Sequence, residues 1–335
     1  MTLQFRCDKK IARLHDPRRN FELVEIESEV RYDPLTGASG RICHFSLTRL
    51  APPDLSAIIA ESRAACPFCP DKVNSITPRF PDELAAGGRL RNGQATLFPN
   101  LFPYDDVSAV AALCPDHFHP MDAMPEQPIR DGIGLAREFF ALAGARVEDG
   151  RAFGLVTWNY MPPSGASQVH PHLQVVLTAN PGNALARELA AESEFFRRHG
   201  RCYAEALLAA ETAAKERFLG ASGAVAWLAP FVPCGLLGDC VAVFPGRSTI
   251  ADLSDADIAD FARGFCAVLR AFSERGLWSF NLSFFPARFG PGDGSHWLLA
   301  RVLPRFYLNA KLHVSDASYL QLLLEERFAM IRPEE

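Results

Sequence analysis

Residues 165–177 read GASQVHPHLQVVL, with two histidines one residue apart and a glutamine two residues further on. Val169, Leu173, Val175, Val176 and Leu177 are strand formers, so the segment reads as a β-strand. Side chains on a strand alternate faces with period two. His170, His172 and Gln174 therefore fall on one face, and Pro171, Leu173 and Val175 on the other. The apolar set faces a core. The polar set faces something that uses imidazole and amide together. Pro171 donates nothing to a ladder, which places the strand at an edge or puts a bulge there. Ser164, Gly165, Ala166 and Ser167 are small and let a ligand approach the backbone closely. One histidine on a strand is most often structural. Two with a glutamine in register, behind such a loop, indicate a site.

The 335 residues suffice for one large domain or two of ordinary size. Apolar residues make up 48% and charged residues 22%, the balance of a soluble globular protein. The net charge of −5, without a basic run, argues against a nucleic-acid groove. The first twenty residues, MTLQFRCDKKIARLHDPRRN, hold no apolar core of a signal peptide. The most apolar stretch, AVAWLAPFVPCGLLG at 224–238, is short and broken by Pro230 and Pro233, so it does not read as a membrane span. The nine cysteines are scattered and odd in number, which fits a reducing cytoplasm better than a disulfide framework.

Outward from the histidine segment, a repeated order emerges. Residues 95–113 read as strand, turn, strand; 127–147 have the apolar spacing of an amphipathic helix; and 152–160 (AFGLVTWNY) read as a strand leading into the histidine loop. The same order returns as strand-turn-strand at 226–245, a helix at 254–272 with an N-cap and acidic first turn, and strand, Gly-rich loop, strand at 278–304. In this alignment His296 falls where His170 does, while Leu298 and Ala300 replace His172 and Gln174. Residues 183–220 read as helical, and the tail 315–331 as a further helix. The expected fold is α+β: two tandem related halves, each an antiparallel sheet with helices on one face. Residues 1–180 form the half with the site, and 181–335 a chemically degenerate one.

Cys66 and Cys69 in CPFCP have C-x2-C spacing, which gains weight as a zinc signal when histidines follow. The histidines available are His117 and His119 in CPDHFHP, and His170. Cys66, Cys69, His117 and His170 make a closed set of two thiolates and two imidazoles, structural rather than catalytic. It staples the Pro-rich loop beside His172. His119 and Cys114 are the rival ligands.

RYDPLTG, SLTR, CPFC, NLFP, CPDH and WNYMPPSGASQVHPHLQ, in this order, resemble the galactose-1-phosphate uridylyltransferase family, a nucleotidylyl-transferring and phosphorylase branch of the histidine-triad (HIT) superfamily. AWLAPFVP and SHWLLARVLP in the second half fit as well. The resemblance implies a HIT-like fold, zinc, galactose or related carbohydrate metabolism, and a homodimer. It implies His172 as nucleophile, His170 and His117 (over His119) as ligands, and Gln174 as the residue that holds the phosphoryl group. It also implies phosphate contacts from Asn159, Ser167 and Arg49, and a nucleoside contact from Asn100. The chain departs from the family at Pro52, where a second arginine is expected, and in lacking the second-half histidines that bind iron in some members. The segment YLNAKLHVSDASYLQ has no match to the hexose-reading region.

A neutral imidazole attacks phosphorus near pH 7 without a separate base. A sugar-phosphate leaving group departs as an anion and needs no proton, whereas expulsion of an alcohol or amine calls for an acid. Relatives that do the latter carry a histidine where this chain has Gln174. An amide stabilises the phosphoryl oxygens but does not shuttle a proton. The residues thus favour a ping-pong enzyme that moves a nucleoside monophosphate, UMP or similar, from a nucleotide sugar to a hexose 1-phosphate. A phosphorylase using inorganic phosphate on a nucleotide sugar or dinucleoside polyphosphate is the alternative. A nucleotide-binding protein without turnover is the non-enzymatic one, disfavoured by the intact His172 and Gln174.

Overall fold

The structure, a computed structural model, describes residues 3–43, 50–103, 105, 107–144 and 152–335. Two long strands open it: β1 (Cys7–Asp16) and β2 (Glu22–Tyr32) pair antiparallel from Cys7↔Arg31 to Asp16↔Glu22. Asp16 caps the connecting turn by accepting from Arg18 N. β3 (Ser39–Cys43) adds to β2. α1 (Ser56–Ala65) and the one-turn α2 (Val73–Ile76) flank the C-x2-C turn, as the Pro-rich composition there leaves room for little more. β4 (Leu90–Asn92), β5 (Ala95–Pro99) and β6 (Val107–Ala112) lead to α3 (Glu126–Gly144). β7 (Phe153–Tyr160) and β8 (His172–Thr178) follow.

Two helices then run together, α4 (Asn183–His199) and α5 (Tyr203–Ala214), with Gly200 in a left-handed C-cap between them. β9 (Phe218–Ser222), β10 (Val225–Leu228) and β11 (Cys240–Val243) precede α6 (Asp255–Glu274). Ser254 and Asp257 form a capping box at the start of α6. The chain ends with β12 (Ser279–Phe285), β13 (Leu299–Arg305), β14 (Tyr307–Asn309), β15 (Val314–Ser315), α7 (Tyr319–Leu323) and β16 (Arg327–Ala329).

The central feature is a ten-stranded antiparallel sheet in the order β4-β5-β6-β8-β7-β12-β13-β11-β10-β9. The α+β class is as expected. The sheet is continuous, against the expectation of separate sheets, because β7 and β12 pair along Thr157–Tyr160 and Phe280–Ser283. One face packs on α3 and α6 through Trp158, Tyr160, Phe261, Phe265 and Phe280, with Tyr160 and Phe280 stacked at 4.9 Å. α6 comes close to the sheet because residue 264 is glycine: a Cβ there would overlap the Trp227 indole. The helices do not keep to one face, as the sequence suggests they would. Cys202 and Ala204, at the start of α5, cover the other face of β10 and β11.

Two further expectations are corrected. The strand at 165–177 begins only at His172: the Pro171 carbonyl still accepts from Leu113 N, but the proline has no N–H to extend the pairing. It is no edge strand either, since β8 lies between β6 and β7. The tail is not one helix: α7 lasts five residues, and β16 then pairs parallel with β3, a long-range partner that outweighs local helix preference. All nine cysteines are free thiols. No described helix is long and apolar enough to cross a membrane.

Candidate active site

The C-x2-C turn sits at the end of α1. Cys66 is the C-cap of α1, and the Cys69 carbonyl accepts from Lys72 N and Val73 N, folding the turn into α2. His117 lies in the loop after β6, and His170 just before β8. The ligand atoms of Cys66, Cys69, His117 and His170 lie within 4.8 Å of one another, all four residues buried. Cys66 Sγ is 3.6 Å from His170 Nδ1, Cys69 Sγ 3.8 Å from the same nitrogen, and Cys69 Sγ 3.5 Å from His117 Nδ1. A tetrahedral zinc ion with ordinary bond lengths sets nitrogen and sulfur about 3.6 Å apart, so the donors fit it.

The far nitrogens are held as well. His170 Nε2 donates to the Cys114 carbonyl at 2.8 Å, and His117 Nε2 meets Ser62 Oγ at 2.9 Å. The Cys114 carbonyl only accepts, and Ser62 Oγ gives its proton to the Ile59 carbonyl, so both rings donate from Nε2 and keep a lone pair on the Nδ1 that faces the thiols. Burial lowers the His170 pKa to about 4, so the ring is neutral. Burial, and then the neighbouring Cys66, raise the Cys69 thiol to about 11. Without a cation the Cys69 thiol keeps its proton. The rivals stay outside the cluster: His119 Nε2 lies 3.5 Å from Asp116 Oδ2, and Cys114 Sγ contacts the Asp116 carbonyl.

Anchoring His170 in this cluster orients His172. The His172 Nδ1–H donates to the His170 carbonyl at 2.8 Å, which leaves the lone pair on Nε2. Burial pushes the His172 pKa below its usual value and the carbonyl contact opposes this, so the ring is neutral at pH 7. The Phe68 ring packs on it at 5.3 Å. His172 and Gln174 share the sheet face opposite the α3/α6 core, which takes Leu173, Val175 and Leu177. His170, outside the strand, turns to the thiols instead. Gln174 lies between Val110 of β6 and Thr157 of β7. Val110 belongs to a buried apolar cluster with Val73, Phe98 and Ala112, covered by the half-buried Phe68 ring.

Asn159 lies two residues beyond Thr157 on β7 and shares its face. Its Oδ1 accepts from Asn281 Nδ2 at 2.6 Å. Asn281 Nδ2 also donates to the Ser164 carbonyl at 2.9 Å, at the start of the small-residue loop. Met161 enters that loop at φ 65, ψ 160, a costly backbone for a non-glycine residue, and Gly165 leaves the turn at φ 83. Ser167 is exposed. Asn100 follows β5, two residues past Phe98, and its Oδ1 accepts from Phe102 N. Arg49 lies outside the described residues. Sequence reasoning missed Ser62, Phe68 and Asn281. Only Asn281 carries a signal, as a polar residue alternating with apolar ones in SFNLSFF.

No protein-family model matches the chain. An uncharacterized protein of Archaeoglobus fulgidus is 30% identical over 99% of this chain and 96% of its own length. Among solved structures, an ADP-glucose phosphorylase from Arabidopsis thaliana with bound ADP-glucose superposes with a TM-score of 0.69 at 15% identity, covering 92% of this chain and 96% of that one. A uridylyltransferase gives 0.67 at 20% identity, covering 91% and 94%. These likenesses carry the fold. The chain belongs to one family with the archaeal protein and shares its fold with the ADP-glucose phosphorylase and uridylyltransferase structures.

Proposed function

We propose that the chain is a nucleotidylyltransferase working through a covalent nucleotidyl-histidine on His172. The observation that carries this is the hydrogen bond from His172 Nδ1 to the His170 carbonyl, which leaves Nε2 as the lone-pair nitrogen beside Gln174. Nε2 attacks the α-phosphorus of a nucleotide sugar. A P–N bond forms, and the P–O bond to the sugar phosphate breaks with its electron pair leaving on that oxygen. The ring becomes cationic, and the Nδ1–H bond to the carbonyl stabilises that charge, so no proton moves. A phosphate oxygen of the acceptor then attacks phosphorus, and the P–N pair returns to Nε2. Gln174 and Asn159 donate to the phosphoryl oxygens, helped by Ser167 and Arg49. The half-buried Phe68 ring beside His172 stacks on the base, and Asn100 contacts the nucleoside. Cys66, Cys69, His117 and His170 hold a zinc ion, whose part is to fix the backbone before His172.

The acceptor is a hexose 1-phosphate in this reading. Inorganic phosphate is the second reading, favoured by the likeness to the ADP-glucose phosphorylase structure. The matching strand orders, β4-β5-β6-β8-β7 and β9-β10-β11-β13-β12, support two related halves dividing near residue 180. The exposed apolar residues of β1 and β2 (Ile11, Leu14, Leu23, Ile26) support a homodimer, and the free thiols a cytoplasmic setting. The test is incubation with UDP-glucose or ADP-glucose alone, then with galactose 1-phosphate or inorganic phosphate, following protein mass and released products. A nucleotidyl adduct discharged by one acceptor supports the reading and identifies that acceptor. No adduct with either donor argues against it.

A further inference from the structure

The second half carries none of the chemistry assigned above, yet one of its side chains reaches the site. Asn281 of β12 is the cross-strand partner of Asn159 on β7, the central contact between the two sets of strands. An amide is ambiguous about which end is oxygen, but here the partners decide. Arg305 Nη1 donates to Asn281 at 2.7 Å, and a guanidinium only donates, so that atom is the oxygen. Both Asn281 N–H groups then point the other way. One goes to Asn159 Oδ1 and the other to the Ser164 carbonyl. Because Asn159 accepts with its oxygen, its remaining branch is the NH2 group. Arg305 is itself fixed by a two-pronged pair with Asp316, which is 5% exposed and also accepts from Phe306 N.

We propose that Asn281 is a positioning residue that sets the polarity of Asn159, so that Asn159 offers a donor and not an acceptor to the phosphoryl group, and that it pins the start of the phosphate loop at Ser164. Asp316, Arg305, Asn281 and Asn159 form one directional relay from the second half to the reacting phosphorus. A flipped Asn159 presents its carbonyl oxygen to a phosphate oxygen, a repulsive contact where a donor is needed. This inference rests on the proposed nucleotidyl transfer at His172.

The diagnostic variant is Asn281→Asp. It keeps shape and volume, and still accepts from Arg305, but it has nothing to donate. Asn159 is then drawn round to give its NH2 to the introduced carboxylate. A merely structural role for Asn281 makes the effect of this change independent of Asn159. The relay predicts that the adduct on His172 forms about 100-fold more slowly, the scale of losing one donor to a developing oxyanion. The zinc content stays near wild type. In an Asn159→Ala background, Asn281→Asp has little left to remove, so its effect shrinks several-fold. Adduct formation by Asn281→Asp at the wild-type rate, or an undiminished effect in the double variant, overturns the relay and leaves the transfer mechanism standing. If wild type forms no adduct with either donor, the mechanism falls, and calorimetric binding of UMP and AMP decides the relay alone. Weaker binding by Asn281→Asp retains it. Equal binding, or none by wild type, overturns it.

Discussion

Replacing Cys66 by serine removes one sulfur from a cluster that joins three stretches of chain: the end of α1, the loop after β6 and the residues before β8. Cys66 and His170 stand 104 residues apart, and Cys69 and His117 48. No such four-donor site survives in an unfolded chain, so zinc binds the native state and stabilises it by mass action. At free zinc a thousandfold above Kd this amounts to about 4 kcal/mol. Unfolding entropy near 60 °C is about 2.1 cal/mol/K per residue. For 335 residues that gives about 0.7 kcal/mol/K, so losing the metal lowers Tm by about 6 °C. Differential scanning calorimetry and metal analysis of purified protein measure both quantities. Wild type should carry one zinc per chain, and Cys66→Ser should carry none and melt about 6 °C lower. A chelator should bring wild type down to the variant's Tm and leave the variant unmoved. Cys114→Ser is the control: its thiol is equally buried but outside the cluster, so it should keep the zinc. Stoichiometric zinc in Cys66→Ser with an unchanged Tm refutes the assignment.

Gln174→Ala should slow adduct formation and adduct discharge alike, each by about 100-fold, because both pass through the same phosphoryl geometry. Single-turnover rates check this, and slowing of one step alone contradicts it. A second prediction concerns the buried pair of Glu192 on α4 and His296 before β13. Burial opposes charge on His296, but the Glu192 hydrogen bond and carboxylate outweigh it and raise its pKa above the usual 6.5. Burial likewise raises Glu192. A group whose folded pKa is raised stabilises below its unfolded value and loses that contribution as pH climbs through the folded one. Wild-type Tm should therefore fall as pH rises above about 6.5, more steeply than in a Glu192→Gln, His296→Gln double variant. Parallel profiles would show that the pair does not titrate as described.

The sequence discloses most where neighbours along the chain share a face. His172 and Gln174 are two residues apart on one strand, so period two alone places them together. C-x2-C makes a local turn, and the set Cys66, Cys69, His117 and His170 assembles with the members chosen from residue chemistry. Period two also puts His170 on the strand, wrongly, because it carries the alternation through Pro171, which has no N–H to extend the pairing. The rest depends on pairing across distance. Asn281 joins the site only because β12 lies against β7, 122 residues away in sequence, and nothing near Asn281 reports that. The β16–β3 pairing has the same cause: residues 315–331 have good local helix spacing, and a strand at 39–43 overrides it. The helices on the second face are not legible because the surfaces that α4 and α5 cover exist only in the assembled sheet.

The central claim is that His172 Nε2 carries the nucleotidyl group, and intact-protein mass spectrometry after incubation with a nucleotide sugar and no acceptor tests it most directly. The account predicts a gain of one nucleoside monophosphate, labile in acid and stable in base, mapping to the peptide that contains His172. It also predicts complete loss of the gain in His172→Gly, with zinc retained. An adduct on another residue, or wild-type turnover by His172→Gly, would contradict it.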